Sequence, residues 1–251
     1  MKRLLRSGLT LAAGAVTTTV IGISLAAPAQ AVSINLPDLT SGKGPTSSIV
    51  LLLSLTVLAV APALLLLTTS FTKIIVVLSL TRNALGLQGI PPNQVLAGLA
   101  IFLSFFVMSP VLGVVNTDAL QPYLDGSISF GEAFDIGKIP MEKFMLANTR
   151  PEELALMVNV SKEPPPATPS DVSLTTLVPA FILSELRAAF IIGFVIFLPF
   201  LIIDMVVSSG LMSVGMIMLP PVLVSLPFKL LLFVLVDGWS LIISALVGSY
   251  G

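Results

Sequence analysis

Residues 177–209 form an apolar run of 33 positions, and residues 211–249 continue in the same vein. At a rise of 1.5 Å per residue the first run alone would make a helix of about 50 Å. The hydrocarbon core of a bilayer is only about 30 Å thick. The second run carries Pro220, Pro221 and Pro227, which remove backbone donors and break regular helix. Charged residues also interrupt both runs: Glu185, Arg187, Asp204, Lys229 and Asp237. A charge at the centre of a membrane helix costs about 2.5–3.5 kcal/mol on insertion scales. These segments are too long, too broken and too charged to be ordinary spans. Long, kinked helical hairpins that meet partners along their length satisfy all three constraints.

The rest of the chain points the same way. Of 251 residues, 55% are hydrophobic and 10% are charged, where a soluble domain carries about 25% charged residues. The mean hydropathy is +1.05. The predicted fold class is therefore all-α, an integral membrane or apolar-assembly subunit. A net charge of −1 with no basic stripe excludes the usual footprint of a nucleic-acid binder. Cysteine and histidine are both absent. Disulfides, thiolate chemistry and Ser–His or Cys–His hydrolysis are thereby ruled out, and the commonest metal ligand is missing. No enzyme, cofactor or metal site is expected.

The N-terminus reads as a secretory signal peptide. Lys2, Arg3 and Arg6 precede an apolar stretch from Leu9 to about Ala27, and Ala29-Gln30-Ala31 offers a small-x-small site. An uncleaved first helix is the alternative reading. Cleavage after Ala31 would leave Val32 as the mature N-terminus, outside the cytoplasm.

Residues 32–48 read as an exposed linker, and residues 49–115 as a first hydrophobic helical pair with a basic connector near 72–94. Residues 116–176 form an acidic segment with nine acids against four bases. Residues 177–251 form a second hydrophobic hairpin. The signal peptide puts residue 32 outside, and the positive-inside rule puts Lys73 and Arg82 in the cytoplasm. Together they predict N-out and C-out, with the acidic segment outside.

Glu185 and Arg187 are two apart, so on a helix they face different sides and cannot neutralise each other. Two readings stand for the embedded charges: buried salt bridges between hairpins or subunits, or the lining of a polar pathway. Ala189 and Gly193, four apart, present a small-xxx-small face for close helix contact. The turn "LMSVGMIMLPP" is apolar throughout, although turns are normally polar because their backbone needs partners. Met212, Met216, Ile217 and Met218 there either pack against a neighbour or face a pore.

Three blocks carry a resemblance: "PPNQVLAGLAIFLSFFVMSPV", "LVPAFILSELRAAFIIGFVIFLPFLIIDMVVSSGLMSVGMIMLPP" and "LPFKLLLFVLVDGW". From residue 49 onward the sequence resembles the FliP family, the P subunits of the flagellar type III protein export apparatus. The resemblance implies a non-enzymatic, pore-forming subunit in the bacterial inner membrane, at the flagellar basal body. Several copies would assemble with Q and R subunits to pass unfolded flagellar proteins. It also implies that the hairpins are drawn up into a conical assembly at the outer leaflet, rather than all crossing the bilayer. The family's methionine-rich constriction falls on Met216 and Met218, with Ile217 where many relatives carry a third methionine. Thioether side chains are unbranched and repack readily, so such a ring would act as a gasket that excludes ions by dewetting. The rival reading is an ion-coupled secondary transporter or channel subunit, in which Glu185 or Asp204 would change protonation. It calls for an internal repeat, and the two hydrophobic pairs show none. An intramembrane protease lacks both its histidine dyad and a Gly-x-Gly-Asp motif.

Overall fold

A computed structural model describes residues 45–87, 89–161, 168, 171–216 and 218–250. The signal site at Ala31 and Val32, most of the 32–48 linker, most of the proline-rich stretch after Ser161, and Ile217 lie outside the described residues. The described residues are helical, with no strand among them. The chain divides after Leu55 into two units. The described part of the first is helix, and the second, from Thr56 onward, holds all that follows.

Helix α1 is Pro45–Leu67, α2 is Phe71–Ala84 and α3 is Asn93–Val115. A π-helical turn, Asn116–Leu120, carries α3 into the short α4, Gln121–Leu124. Then come α5 (Phe130–Ala147), α6 (Pro151–Ser161), α7 (Leu174–Ser213), α8 (Pro221–Leu235) and α9 (Gly238–Gly248). Asn93–Leu124 and Leu174–Ser213 are long and apolar enough to cross a membrane. The α1/α2 and α8/α9 pairs, bent by 64° and 62°, bring the number of candidate spans to four if each pair counts as one.

The breaks follow from local chemistry. Helix α1 closes where Thr68 and Thr69 donate their hydroxyls to the carbonyls of Leu64 and Leu66. Helices α2 and α7 end in the same Schellman geometry. Gly86 and Gly215 have φ of +75° and +78°. Leu87 N–H donates to Arg82 O, and Met216 N–H to Leu211 O at 2.9 Å. Those bonds satisfy the last carbonyls of each helix, and glycine takes the left-handed position without strain. Pro221 then opens α8 at its first position, where the missing N–H is unneeded.

Helix α2 is the centre of the core. Ile74, Val77, Leu78 and Thr81 recur at three- and four-residue spacing and are fully buried, the stripe expected of a helix covered along one face. They pack with Leu96 and Ala100 of α3, Ala189 and Phe200 of α7, Phe233 of α8 and Ile242 of α9. Helix α3 buries only Leu96, Ala100, Ser104 and Met108, one residue per turn. Leu99 and Leu103 pack half-buried beside them, while Phe102, Phe105 and Phe106 are exposed. A second cluster, Met145 with Leu177 and Phe181, fastens α5 to the first turns of α7.

Helix α3 ends at Val115, and the π-turn carries a helical path on to Leu124 at the start of the acidic stretch. The apolar middle of the basic connector is helix α2, and the chain breaks over residues 85–92. There Arg82 donates to Pro91 O and Asn93 Oδ1 at 3.1 and 2.7 Å, pinning the loop.

Candidate functional site

Helix α7 carries three of the five charges in the apolar runs, and each meets a different neighbour. Glu185 is fully buried and pairs with Lys73 of α2 at 3.1 Å. Tyr250, just beyond α9, donates its hydroxyl to the same carboxylate. Its ring lies under the Lys73 ammonium, 3.5 Å from Nζ to the centroid, and stacks on Phe144 of α5. Four segments therefore converge on one buried ion pair. Charges taken out of water demand this, since an ion pair is tolerated inside only when its remaining donors and acceptors are met.

Arg187, two residues on, points the other way. It remains half-exposed and donates to Glu153 of α6 at 2.7 Å. That hydrogen bond holds the Glu153 carboxyl below its ordinary range. Just before Glu185, Ser184 accepts from Arg150 N–H at 3.0 Å and donates to Asn148 O at 3.2 Å. The α5–α6 corner is thus stitched to α7 beside the buried pair. A polar cavity of about 450 Å³ opens there, lined by Lys73, Asn148, Arg150, Ser184 and Glu185.

The third charge closes the α7–α8 hairpin. Asp204 pairs with Lys229 at 2.6 Å and accepts from Ser225 at 2.5 Å. Lys229 is buried and also reaches Ala84 O at 3.4 Å, so it ties the hairpin to the end of α2. Asp237 behaves differently. It makes no ion pair among the described residues, is exposed, and adopts the left-handed conformation with φ 50° at the α8–α9 bend. Gly238 follows it because the Phe233 ring lies against its Cα, where a Cβ would meet ring carbon Cζ at 2.8 Å.

Ala189 and Gly193 are both buried on α7. A Cβ on Gly193 would overlap Leu80 of α2, meeting its Cβ at 3.1 Å and its Cδ1 closer still. Here α2 and α7 approach too closely for a side chain at Gly193. The methionine turn is the opposite case. Met212 and Met216 are exposed, and Met218 is 98% exposed at the tip of the α7–α8 hairpin. Ile217 lies outside the described residues.

Lys73 corrects the sequence reading. It counted there as a loop charge on the cytoplasmic side, but it sits in α2, 3% exposed and neutralised by Glu185. Its weight in the orientation rule falls away, leaving Arg82. Tyr250, Glu153 and Ser225 were not singled out from the sequence. A single Tyr or Ser carries no periodic signal, and Glu153 is one acid among nine. Among the described residues no group of acids could hold a metal ion.

The model of the FliP family matches residues 54–246. The flagellar biosynthetic protein FliP of Bacillus subtilis (strain 168) is 53% identical over 217 residues, covering 86% of this chain and 98% of that protein. The protein of the same name from Aquifex aeolicus (strain VF5) is 46% identical over 216 residues, 85% of this chain and 90% of its own. The one from Treponema pallidum (strain Nichols) is 43% identical over 244 residues, 95% and 90% of the two chains. The match runs through the buried charge pairs, the α7–α8 hairpin and the methionine turn, and the chain belongs to the FliP family.

Proposed function

We propose that this chain is a membrane subunit of the flagellar protein export apparatus, and that several copies join Q and R subunits around a pore for unfolded proteins. The methionine turn forms the constriction of that pore, with Met216 and Met218 as the gasket and Ile217 and Met212 beside them. The embedded charges act in assembly: Glu185, Arg187, Asp204 and Lys229 hold helices at fixed angles, and Ala189 and Gly193 let two of them close. Asp237 faces outward and meets a neighbouring subunit. The mature N-terminus at Val32 and residues 116–176 lie on the periplasmic side of the inner membrane.

One observation carries this reading. The tip of the α7–α8 hairpin is apolar, and its described methionines are exposed, Met218 to 98%. Two fixed helix ends hold it in place, the Schellman stop at Gly215 and the proline start at Pro221. An apolar loop whose described residues are exposed needs apolar partners from other chains or a dewetted pore. The double variant Met216→Ala/Met218→Ala removes bulk without adding charge. Assembled complexes carrying it should leak small ions while export of flagellar proteins continues. Ion-tight, fully assembled double variants would overturn the gasket assignment.

A further inference from the structure

The chain has nine methionines and no cysteine, so thioethers are its only oxidisable sulfurs. Three of the nine fall within residues 212–218. Exposure sorts them. Met108 and Met145 are buried, and Met141 and Met157 are half-buried. Met205 is exposed but lies well inside Leu174–Ser213, a helix apolar and long enough to cross a membrane. Met212 closes that helix. Among the described methionines only Met216 and Met218 are both exposed and outside a helix, and Met218 is the most exposed of all.

The surroundings decide what oxidation does there. The N–H groups of Val214, Gly215, Met216 and Leu219 all donate to carbonyls of residues 210–216. Pro220 and Pro221 have no N–H to give. The Ser213 hydroxyl donates to Gly210 O at 2.7 Å. A thioether asks for no donor and is at ease in such a turn. A sulfoxide is a strong acceptor, and each of these donors is already committed, so water must solvate it.

We infer that Met216 and Met218 form an oxidation site, through which hydrogen peroxide hydrates and opens the constriction. The inference rests on the constriction reading of these two residues and adds the chemistry that would undo it. A sulfur lone pair attacks one peroxide oxygen, and the O–O bond breaks as the S–O bond forms. A proton passes between the two oxygens and water leaves. Sulfur gives up two electrons and the peroxide takes them, so thioether and peroxide become sulfoxide and water. A flexible apolar side chain has then become a polar one. In a collar that excludes ions by dewetting, each S=O draws in water and lowers the barrier. Peroxide is itself polar and enters hydrocarbon poorly, which shields Met205 in a membrane and leaves the turn accessible.

Membranes containing the complete export complex are treated with hydrogen peroxide and sampled over time. Peptide mass spectrometry gives the sulfoxide fraction at each methionine, and efflux of a small ion from sealed vesicles gives the leak. Met216 and Met218 should oxidise at least about tenfold faster than Met108 and Met145, and faster than Met205. Leak should rise in step with them. Met216→Leu/Met218→Leu is a change of similar volume that removes the sulfur. Its ratio of leak after peroxide to leak before should fall to that of vesicles lacking the complex. Taking the ratio within each variant cancels any difference in starting tightness. Oxidation at Met216 and Met218 no faster than at Met205 overturns the site and leaves the constriction reading standing. A double-Leu ratio as high as that of the wild type places the damage elsewhere and overturns it too. Sulfoxide at both positions without added leak overturns the opening, and if Met216→Ala/Met218→Ala is also ion-tight the constriction reading falls with it.

Discussion

Removing one member of the Lys73–Glu185 pair should damage this protein far more than removing both. The ammonium and carboxylate are 3.1 Å apart, with side chains only 4% and 1% exposed. In Glu185→Leu the Lys73 ammonium keeps the Tyr250 ring at 3.5 Å, a contact of about 0.5–2 kcal/mol. It loses its only counter-charge among the described residues. In Lys73→Met the carboxylate keeps one hydroxyl donor, Tyr250. Breaking a buried pair from one side typically costs about 3–5 kcal/mol, whereas replacing both partners by apolar groups of similar size is often neutral or stabilising. Each single variant should therefore lose about 3 kcal/mol or more, and Lys73→Met/Glu185→Leu should recover most of that loss. The coupling energy of the cycle should be at least about 2 kcal/mol. Titration with a denaturing detergent in mixed micelles measures this. The lone tryptophan, Trp239, is a convenient probe because it packs edge-on against Phe233 of the core. Losses that simply add in the double variant would refute the buried pair as a coupled unit.

Other perturbations test the remaining contacts. Gly193→Ala forces Leu80 aside or parts α2 from α7, and overpacking of this kind costs about 1–3 kcal/mol. Ala189→Gly at the same contact only opens space, so a Gly193→Ala variant as stable as wild type would remove the close approach. Glu153 has its pKa lowered by the Arg187 hydrogen bond. Its contribution is present above the ordinary value of 4.5 and is lost as pH falls through the lower folded value. Hydrogen exchange in α6, corrected for intrinsic rate, should accelerate across that acid window. Glu153→Gln should abolish the pH dependence, and an unchanged pH curve would discount the bridge. Asp237→Gly relieves a left-handed residue, a strain of roughly 1–2 kcal/mol, against a glycine entropy cost of roughly 0.5–1 kcal/mol. Stability should hold or rise by up to about 1.5 kcal/mol. A loss of export at unchanged stability would then assign Asp237 a contact beyond its own chain.

Much of this fold was legible because it is local. Composition and run length pointed to helices in an apolar setting. Gly215 and Pro221 bracket the methionine turn through backbone rules that depend on a few neighbouring residues. The offset between Glu185 and Arg187 already required two different partners.

Which partners they found is a tertiary outcome. Lys73 and Glu185 lie in separate helices far apart in the chain, and they meet only because α2 and α7 close on Gly193. Until that packing exists, a lysine near the end of an apolar run looks like a connector charge. Tyr250 is a lone aromatic in sequence, and becomes the lid of a buried ion pair once the α8–α9 bend returns the chain to α2. An apolar groove belongs to no single segment, since α1, α3, α5 and α7 each supply part of its wall. Sequence alone set where helices start, stop and hide one face, because hydrogen bonding and φ are decided within a turn or two. Only the packed structure decided which buried charges neutralise each other, because desolvation penalises every unpaired arrangement and that penalty is felt only after the helices meet.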